Sequence, residues 1–346
     1  MDWRQEYRSK LLTVPEAAAQ IKSFDRIWLS PTGAEPTGLV EALSARADQL
    51  EGVEVLSWLA LSPYRFLTSP VYRGKINYHT FFFGGCEREY FSKGNVDIIS
   101  LQFCKIEQAL EAFAPQVLLA DVSPPDADGY LYYGPFGVFL NSKAAELAER
   151  RIVQVNRRQP RVKGKAHKIH VSEVDCICEA DSELPELVQS GISDAERQVA
   201  AYIVPRVKDG SCIQVGIGGL ANAVAYGLAD KKDLHVHTEM LTDSLAYLAQ
   251  KGVVTGRMLA GFALGRRELY DYAEDGPVDF APIYEVNNPY CIGGHDHFVS
   301  INACLMADLT GQVCSESLGF RQYSCTGGQL DYVRGAALSR GGQSYI

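Results

Sequence analysis

An α/β fold with largely parallel sheets is what this sequence predicts, and two observations carry that expectation. Short β-type runs alternate with turns and helix-like stretches along the chain. At 211–243, SCIQVGIGGLANAVAYGLADKKDLHVHTEMLTD, one β-type run enters a glycine turn that opens a helix, and a second β-type run follows. A length of 346 residues makes two domains the default.

The elements are justified in chain order. Val14 to Ile21 is expected to be helical, with Thr13 as N-cap and Pro15 early, where proline is tolerated. Arg26 to Ser30 is a short strand, followed by the turn PTGAEPTG and a helix from Leu39 to Leu50. Val53 to Leu61 is a further β-type run, and Val117 to Val122 is a buried strand before the loop SPPDADGY. Ala144 to Arg151 is expected to be helical and Ile152 to Val155 β-type. The stretch DSELPELVQSGISD, 181–194, is polar and turn-rich. It places a boundary near residue 190, dividing the chain into 1–190 and 191–346. In the second part, Ser211 to Val215 is a strand, Leu220 to about Ala229 a helix, and Leu234 to His237 a strand that delivers Glu239.

Composition excludes several classes. The chain is 47% hydrophobic and 22% charged, with net charge −9 and a pI near 5.4. Nucleic-acid binding calls for a basic face instead. No apolar run approaches the ~20 residues that span a bilayer. The polar N-terminus, MDWRQEYRSK, is not a secretory signal. Nine scattered cysteines without a CxxC pair read as reduced thiols of a cytoplasmic protein. Residues 150–168 hold eight Lys or Arg and no acid. They read as a solvated face or, more sharply, as an attractor for a phosphorylated ligand.

Three chemistries compete for 211–243. A glycine turn opening a helix is an anion site, because free N–H groups and the helix dipole face one way. Gly216-x-Gly218-x-x-Ala221, followed by an acid about 20 residues on, fits dinucleotide binding. His235, His237 and Glu239 alternate, so a strand would present them on one side as metal ligands, with His295 and His297 of GGHDHF as further donors. A glutamate beside an anion-binding turn can also attack an activated acyl group and form a covalent intermediate. Its plain alternative is a helix cap or an ion pair. This segment alone does not separate the first reading from the third.

The later sequence does. From Tyr284 the chain runs YEVNNPYCIGGHDHFVSINACLMADLTGQVCSESLGF and then SCTGGQLDYVRGAALSRGGQ. Together with QVGIGG and HTEM, and with Trp3 to Lys10, SPPDADGY and the run from Val155 to Gly164, it resembles the acetyl-CoA hydrolase/transferase family. The nearest likeness is to the 4-hydroxybutyrate and butyryl-CoA:acetate CoA-transferases. It covers essentially the whole chain.

The resemblance implies two CoA-transferase-type domains with mainly parallel sheets flanked by helices, the site lying in the cleft between them. It implies Glu239 of the HTEM motif as the nucleophile that becomes a glutamyl-CoA thioester. It assigns CoA contacts to Gln214, Val215, Gly216, Ile217 and Gly218, and to Gly327, Gly328 and Gln329 of the loop over the reacting carbonyl. The expected substrates are an acyl-CoA and a short-chain carboxylate. No metal and no cofactor beyond the substrate coenzyme A is expected, nor a nucleic-acid or membrane partner. A cytoplasmic homodimer or homotetramer is expected. An acyl-CoA hydrolase, an NAD-dependent dehydrogenase and an inactive CoA-binding homologue are the alternatives. The sequence departs from the family pattern at Ser244 and Cys325, where glycine is usual, and in a shorter connection after Val254. It also ends at GGQSYI in what reads as mid-strand, so a second domain incomplete at its C-terminus is expected.

Overall fold

The computed structural model describes residues 2–187 and 191–346. Among them are two large sheets in which every strand pairing is parallel. The first contains β1 (Arg26–Leu29), β2 (Val53–Ser57), β3 (Ile76–Thr80), β4 (Asp97–Ile98), β5 (Val117–Val122), β6 (Arg150–Val155) and β7 (Cys176–Glu179). Its spatial order is β4-β3-β2-β1-β5-β6-β7. The second contains β8 (Cys212–Val215), β9 (Leu234–Leu241), β10 (Val254–Ala263), β11 (Val278–Phe280), β12 (Phe298–Ile301) and β13 (Gln343–Tyr345), ordered β11-β10-β9-β8-β12-β13. The second order matches the first six strands of the first sheet, which carries β7 as an extra edge strand. In each sheet the order reverses beside the first strand, which opens a crevice beyond that strand's carboxyl end.

Local sequence accounts for these elements. Strand β5, VLLADV, is buried along its whole length, as a parallel strand covered on both faces should be. The helix Val14–Ala18 starts with a capping box: the Thr13 hydroxyl accepts from the Glu16 N–H, and the Glu16 carboxylate accepts from the Thr13 N–H at 2.9 Å. Several elements differ from the sequence expectation: the helix from Val14 stops at Ala18, short of Ile21, and β2 stops at Ser57, short of Leu61. The helix Asn141–Leu147 begins and ends earlier than expected, because β6 already starts at Arg150. The expected helix over 39–50 is Thr37–Ala45 followed by a 3-10 turn, Ala47–Gln49. Strand β9 runs on to Leu241, so Glu239 sits inside a strand rather than beyond one. The expected boundary at residue 190 falls among 188–190, outside the described residues.

The core joins the two sheets. Trp58, just past β2, stacks on Phe139 at 4.3 Å between ring centroids and meets Phe262 of β10 edge-on at 4.9 Å. Edge-on aromatic pairs add about 0.5–1.5 kcal/mol beyond area burial. Met240, Phe262, Tyr270 and Ile283 belong to the same buried cluster as Trp28, Phe103 and Phe136. The basic stretch has a structural explanation. Arg150 pairs with Asp25 at 2.5 Å, Arg151 with Asp175 at 3.4 Å, Arg157 with Asp181, Arg158 with Glu183 and Lys165 with Glu285. None of the eight cations lines the large cavity described below. The solvated-face reading holds over the phosphate-attractor one.

Candidate active site

The site is built where the second sheet's crevice meets the first half of the chain. Strand β8 pairs with β9 and with β12, and Gly216 continues the ladder by donating its N–H to Ile301 O at 2.9 Å. Gln214 and Asn302 fix the mouth of this strand pair through two reciprocal amide hydrogen bonds of 3.0 Å each. Gly218, at φ 105°, caps the helix α1 (Gly219–Gly227) in a conformation that favours glycine. The first turn of α1 is not bare. A Cβ on Gly219 would lie 2.2 Å from Glu196 Oε1, so that carboxylate occupies the helix start. The Ser193 N–H and hydroxyl, and further the Leu220 N–H, hold the Glu196 carboxyl below its usual range.

Glu239 projects into a cavity of about 540 Å³ whose wall includes Trp58, Phe82, Phe103, Phe262 and Tyr332. Its Oε2 accepts from Asn287 Nδ2 at 2.7 Å. Burial pushes its carboxyl up to about 7; the Asn287 hydrogen bond opposes that shift, and the negative charge of Asp331 adds to it. A carboxylate starved of water and ionising near neutrality is a better nucleophile than a solvated one.

Over this carboxylate lies the loop from Tyr323 to Gly328. A Cβ on Gly328 would fall 1.7 Å from Glu239 Oε2 and 2.3 Å from Asn287 Nδ2. Only a bare backbone fits there. The first half of the chain holds the loop down. Arg88 Nε donates to Tyr323 O at 2.7 Å, and its guanidinium stacks 3.7 Å from the Tyr323 ring centroid. The Phe103 N–H donates to Gly327 O at 3.3 Å, and the Cys104 N–H to Asp331 Oδ2 at 3.0 Å. Neither Ser244 nor Cys325 has positive φ, so neither site demands glycine for its backbone.

The cavity brings together Glu239, Gln214, Val215, Gly216, Ile217, Gly327, Gly328 and Gln329; Gly218 shapes the turn without lining it. The histidines go elsewhere. His237 is buried, its Nε2 donating to Val286 O at 2.7 Å and its Nδ1 accepting from His295 Nε2 at 2.8 Å. Burial holds its imidazole down to about 4, hence neutral. His235 instead accepts the Arg257 N–H at 3.2 Å. Among the described residues no three His, Cys, Asp or Glu side chains gather as a metal set.

Both halves of the chain match one family. Residues 1–189 match the acetyl-CoA hydrolase/transferase N-terminal domain and 265–346 the C-terminal domain of the same family. The chain belongs to the acetyl-CoA hydrolase/transferase family. Succinyl-CoA:cyclohexane-1-carboxylate CoA transferase of Geobacter metallireducens is 40% identical over 99% of this chain and 80% of its own length. The 4-hydroxybutyrate coenzyme A transferase of Clostridium kluyveri is 34% identical over 100% of this chain and 82% of its own. The crystal structure of RipA from Yersinia pestis superposes with a TM-score of 0.92 at 35% identity, over 99% of this chain and 82% of that one.

Sequence reasoning missed Asn287, Asp331, Asn302 and Trp58. The first two were in view, within YEVNNPY and GGQLDY, but an amide or an acid in a motif does not say which carboxylate it faces. Trp58 looked like ordinary strand residue. Asn302 lies in the run SINACL, which has no chemical pattern of its own.

Proposed function

We propose that this protein is a CoA-transferase, moving coenzyme A between an acyl-CoA and a short-chain carboxylate through a thioester on Glu239. The observation that carries this reading is Glu239 itself: a buried carboxylate held by Asn287 and pressed against the bare backbone of Gly328, at one wall of a cavity large enough for acyl and thiol groups together. The dehydrogenase reading wants its acid free to meet a ribose, and Glu239 is engaged inside the strand instead.

Ionised Glu239 attacks the thioester carbonyl; the C–S bond breaks, leaving an acyl-glutamyl anhydride and CoA thiolate. The thiolate attacks the glutamyl carbonyl, the anhydride C–O bond breaks, and the first carboxylate departs. A second carboxylate reverses both steps. As the glutamyl carbonyl becomes tetrahedral, Asn287 Nδ2 stands at hydrogen-bond distance from the oxygen that gains charge, and it needs no reorganisation to hold it. The backbone at Gly327 and Gly328 offers the close approach that a bulkier residue would block. Binding energy from the distant nucleotide of CoA can serve the reacting centre. Among the described residues no helix is long and apolar enough to cross a membrane. A cytoplasmic homodimer or homotetramer is part of the same proposal, and equilibrium sedimentation tests its stoichiometry.

Incubation with acetyl-CoA or butyryl-CoA, without acceptor, tests the reading. Borohydride should reduce the trapped thioester to an alcohol on the HTEM peptide. Glu239→Gln should lose both adduct and exchange by about a thousandfold or more, since an amide is a poor nucleophile of the same shape. Near-normal exchange by Glu239→Gln would sink the mechanism. Continuous CoA release by the native protein in the absence of acceptor would mark a hydrolase.

A further inference from the structure

Asp331 has no part in the cycle above, yet its side chain is fully buried beside the reacting carboxylate. It lies in the first turn of α2 (Gln329–Leu338). Its Oδ2 accepts from the Cys104 N–H at 3.0 Å and, more weakly, from Asn287 Nδ2 at 3.4 Å; its Oδ1 has no partner. The same Asn287 nitrogen donates to Glu239 Oε2 at 2.7 Å. One amide thus stands between two carboxyl groups. The Asn287 oxygen accepts from the Tyr332 hydroxyl at 3.3 Å, and its nitrogen faces the two carboxyl acceptors.

Burial pushes the Asp331 carboxyl up, while its Cys104 and Asn287 hydrogen bonds and the helix N-terminus oppose that shift and favour the carboxylate. The other groups facing the pair do not cancel that charge. Tyr332 is neutral, its phenol pushed up by burial. Burial likewise pushes the Cys104 thiol up to about 12, so it too is neutral. Arg334 acts on Asp331 from a distance, with its guanidinium at 3.4 Å from Gln102 and no ion pair to either acid among the described residues.

We propose that Asp331 is a positioning residue that sets the balance between free enzyme and enzyme thioester. As a carboxylate it repels ionised Glu239, and that repulsion is relieved when the glutamate becomes the uncharged CoA thioester. The reaction at stake is Glu-COO⁻ plus acyl-CoA giving Glu-CO-SCoA plus free carboxylate. The negative charge leaves the buried site with the product, so a neighbouring anion drives the reaction forward. Asp331 also holds Asn287 in the orientation that serves Glu239. This inference rests on the glutamyl-CoA reading above.

The test measures that equilibrium directly. The native protein is incubated with acetyl-CoA and acetate at graded ratios, and intact-mass spectrometry reads the fraction carrying CoA. For Asp331→Asn, the acetate:acetyl-CoA ratio at half occupancy should fall about tenfold, the equivalent of one pKa unit at Glu239. The acid limb of kcat/KM, expected near pH 7 for the native protein, should move to lower pH, because removing a neighbouring anion makes Glu239 easier to ionise. Asp331→Ser, smaller and also uncharged, is read in parallel in case the first variant folds poorly. A purely structural role would lower the rate and leave both midpoints in place. Folded variants of both kinds with native midpoints overturn the proposal. Absence of any adduct on the native protein would instead remove the glutamyl-CoA reading, and this inference with it.

Discussion

The two sheets share a six-strand order, with β7 added at the edge of the first, but their two crevices have opposite fates. After β1 the chain makes the turn PTGAEPTG, and it is packed shut. Thr32, Gly33 and Ala34 are all buried, and a Cβ on Gly33 would lie 2.1 Å from the ring of Phe136. After β8 the chain makes the turn GIGG, and it stays open: Ile217 is 56% exposed, and the wall continues into the cavity that holds Glu239. The second strands differ in the same sense. Next to the closed crevice β2 hands over Trp58, an apolar wall; next to the open one β9 hands over Glu239. A parallel sheet supplies a crevice wherever its strand order reverses. Whether that crevice becomes a site is decided by what lies beyond it, here one phenylalanine ring.

If that comparison is right, glycines in the two crevices have different jobs. Gly328→Ala is the most damaging change expected on the open side. Its methyl group would displace the Glu239 carboxylate or the Asn287 amide, and a displacement of about 1 Å costs on the order of a hundredfold in rate. The expected result is a kcat loss of that size with the thermal midpoint within a few degrees of native. Unchanged kcat would show that the loop can lift without consequence.

Gly33→Ala should do the reverse. Phe136 is fully buried, and overpacking of this kind costs about 1–3 kcal/mol. The thermal midpoint should fall by roughly 2–4 °C per kcal/mol for domains of this size, while kcat/KM per folded molecule stays within about threefold of native. A rate loss exceeding the stability loss would mean that the closed crevice also serves the reaction.

The sequence made the layout of the sheets legible, and the reasons are local. Val117 to Val122 is apolar at nearly every position and bounded by turn residues, so its ends were readable to the residue. Thr13 and Pro15 announced their own helix start. The strand Leu234–Leu241 was read short, because His237, Thr238 and Glu239 look like the end of a strand; burial by β10 and by 283–286 keeps them inside it. The matching strand order of the halves left no trace in sequence, since topology survives without any repeat of residues. Glu239 and its glycines were accessible through motif resemblance. Asn287 and Asp331 were not assigned, because their roles depend on one amide lying between two acids contributed by elements 48 and 44 residues away from it.

The smallest expected effect concerns Glu35, in the closed crevice. It is fully enclosed, one carboxyl oxygen has no partner, and burial, with a further push from Glu87, holds its acid well above the ordinary range. Its folded-state pKa is therefore raised. Below about pH 4.3, where the unfolded chain is protonated too, Glu35 costs nothing in proton binding. Above that, the unfolded chain gives up its proton and the native state does not, so stability declines as pH rises toward the folded value. Glu35→Gln has no proton to lose. Glu239 and Glu87, both pushed up to about 7 by burial, titrate in both proteins and cancel in the difference. The thermal midpoint of Glu35→Gln minus that of native protein should therefore be more positive at pH 8 than at pH 5, by about 2–4 °C. A difference independent of pH would mean that Glu35 is ionised in the fold after all. Because Glu35 does not line the cavity, kcat/KM should be unchanged at both pH values. A folded Glu35→Gln protein that had lost tenfold in rate would erase the contrast between the two crevices, since the buried one would then be acting on the chemistry of the other.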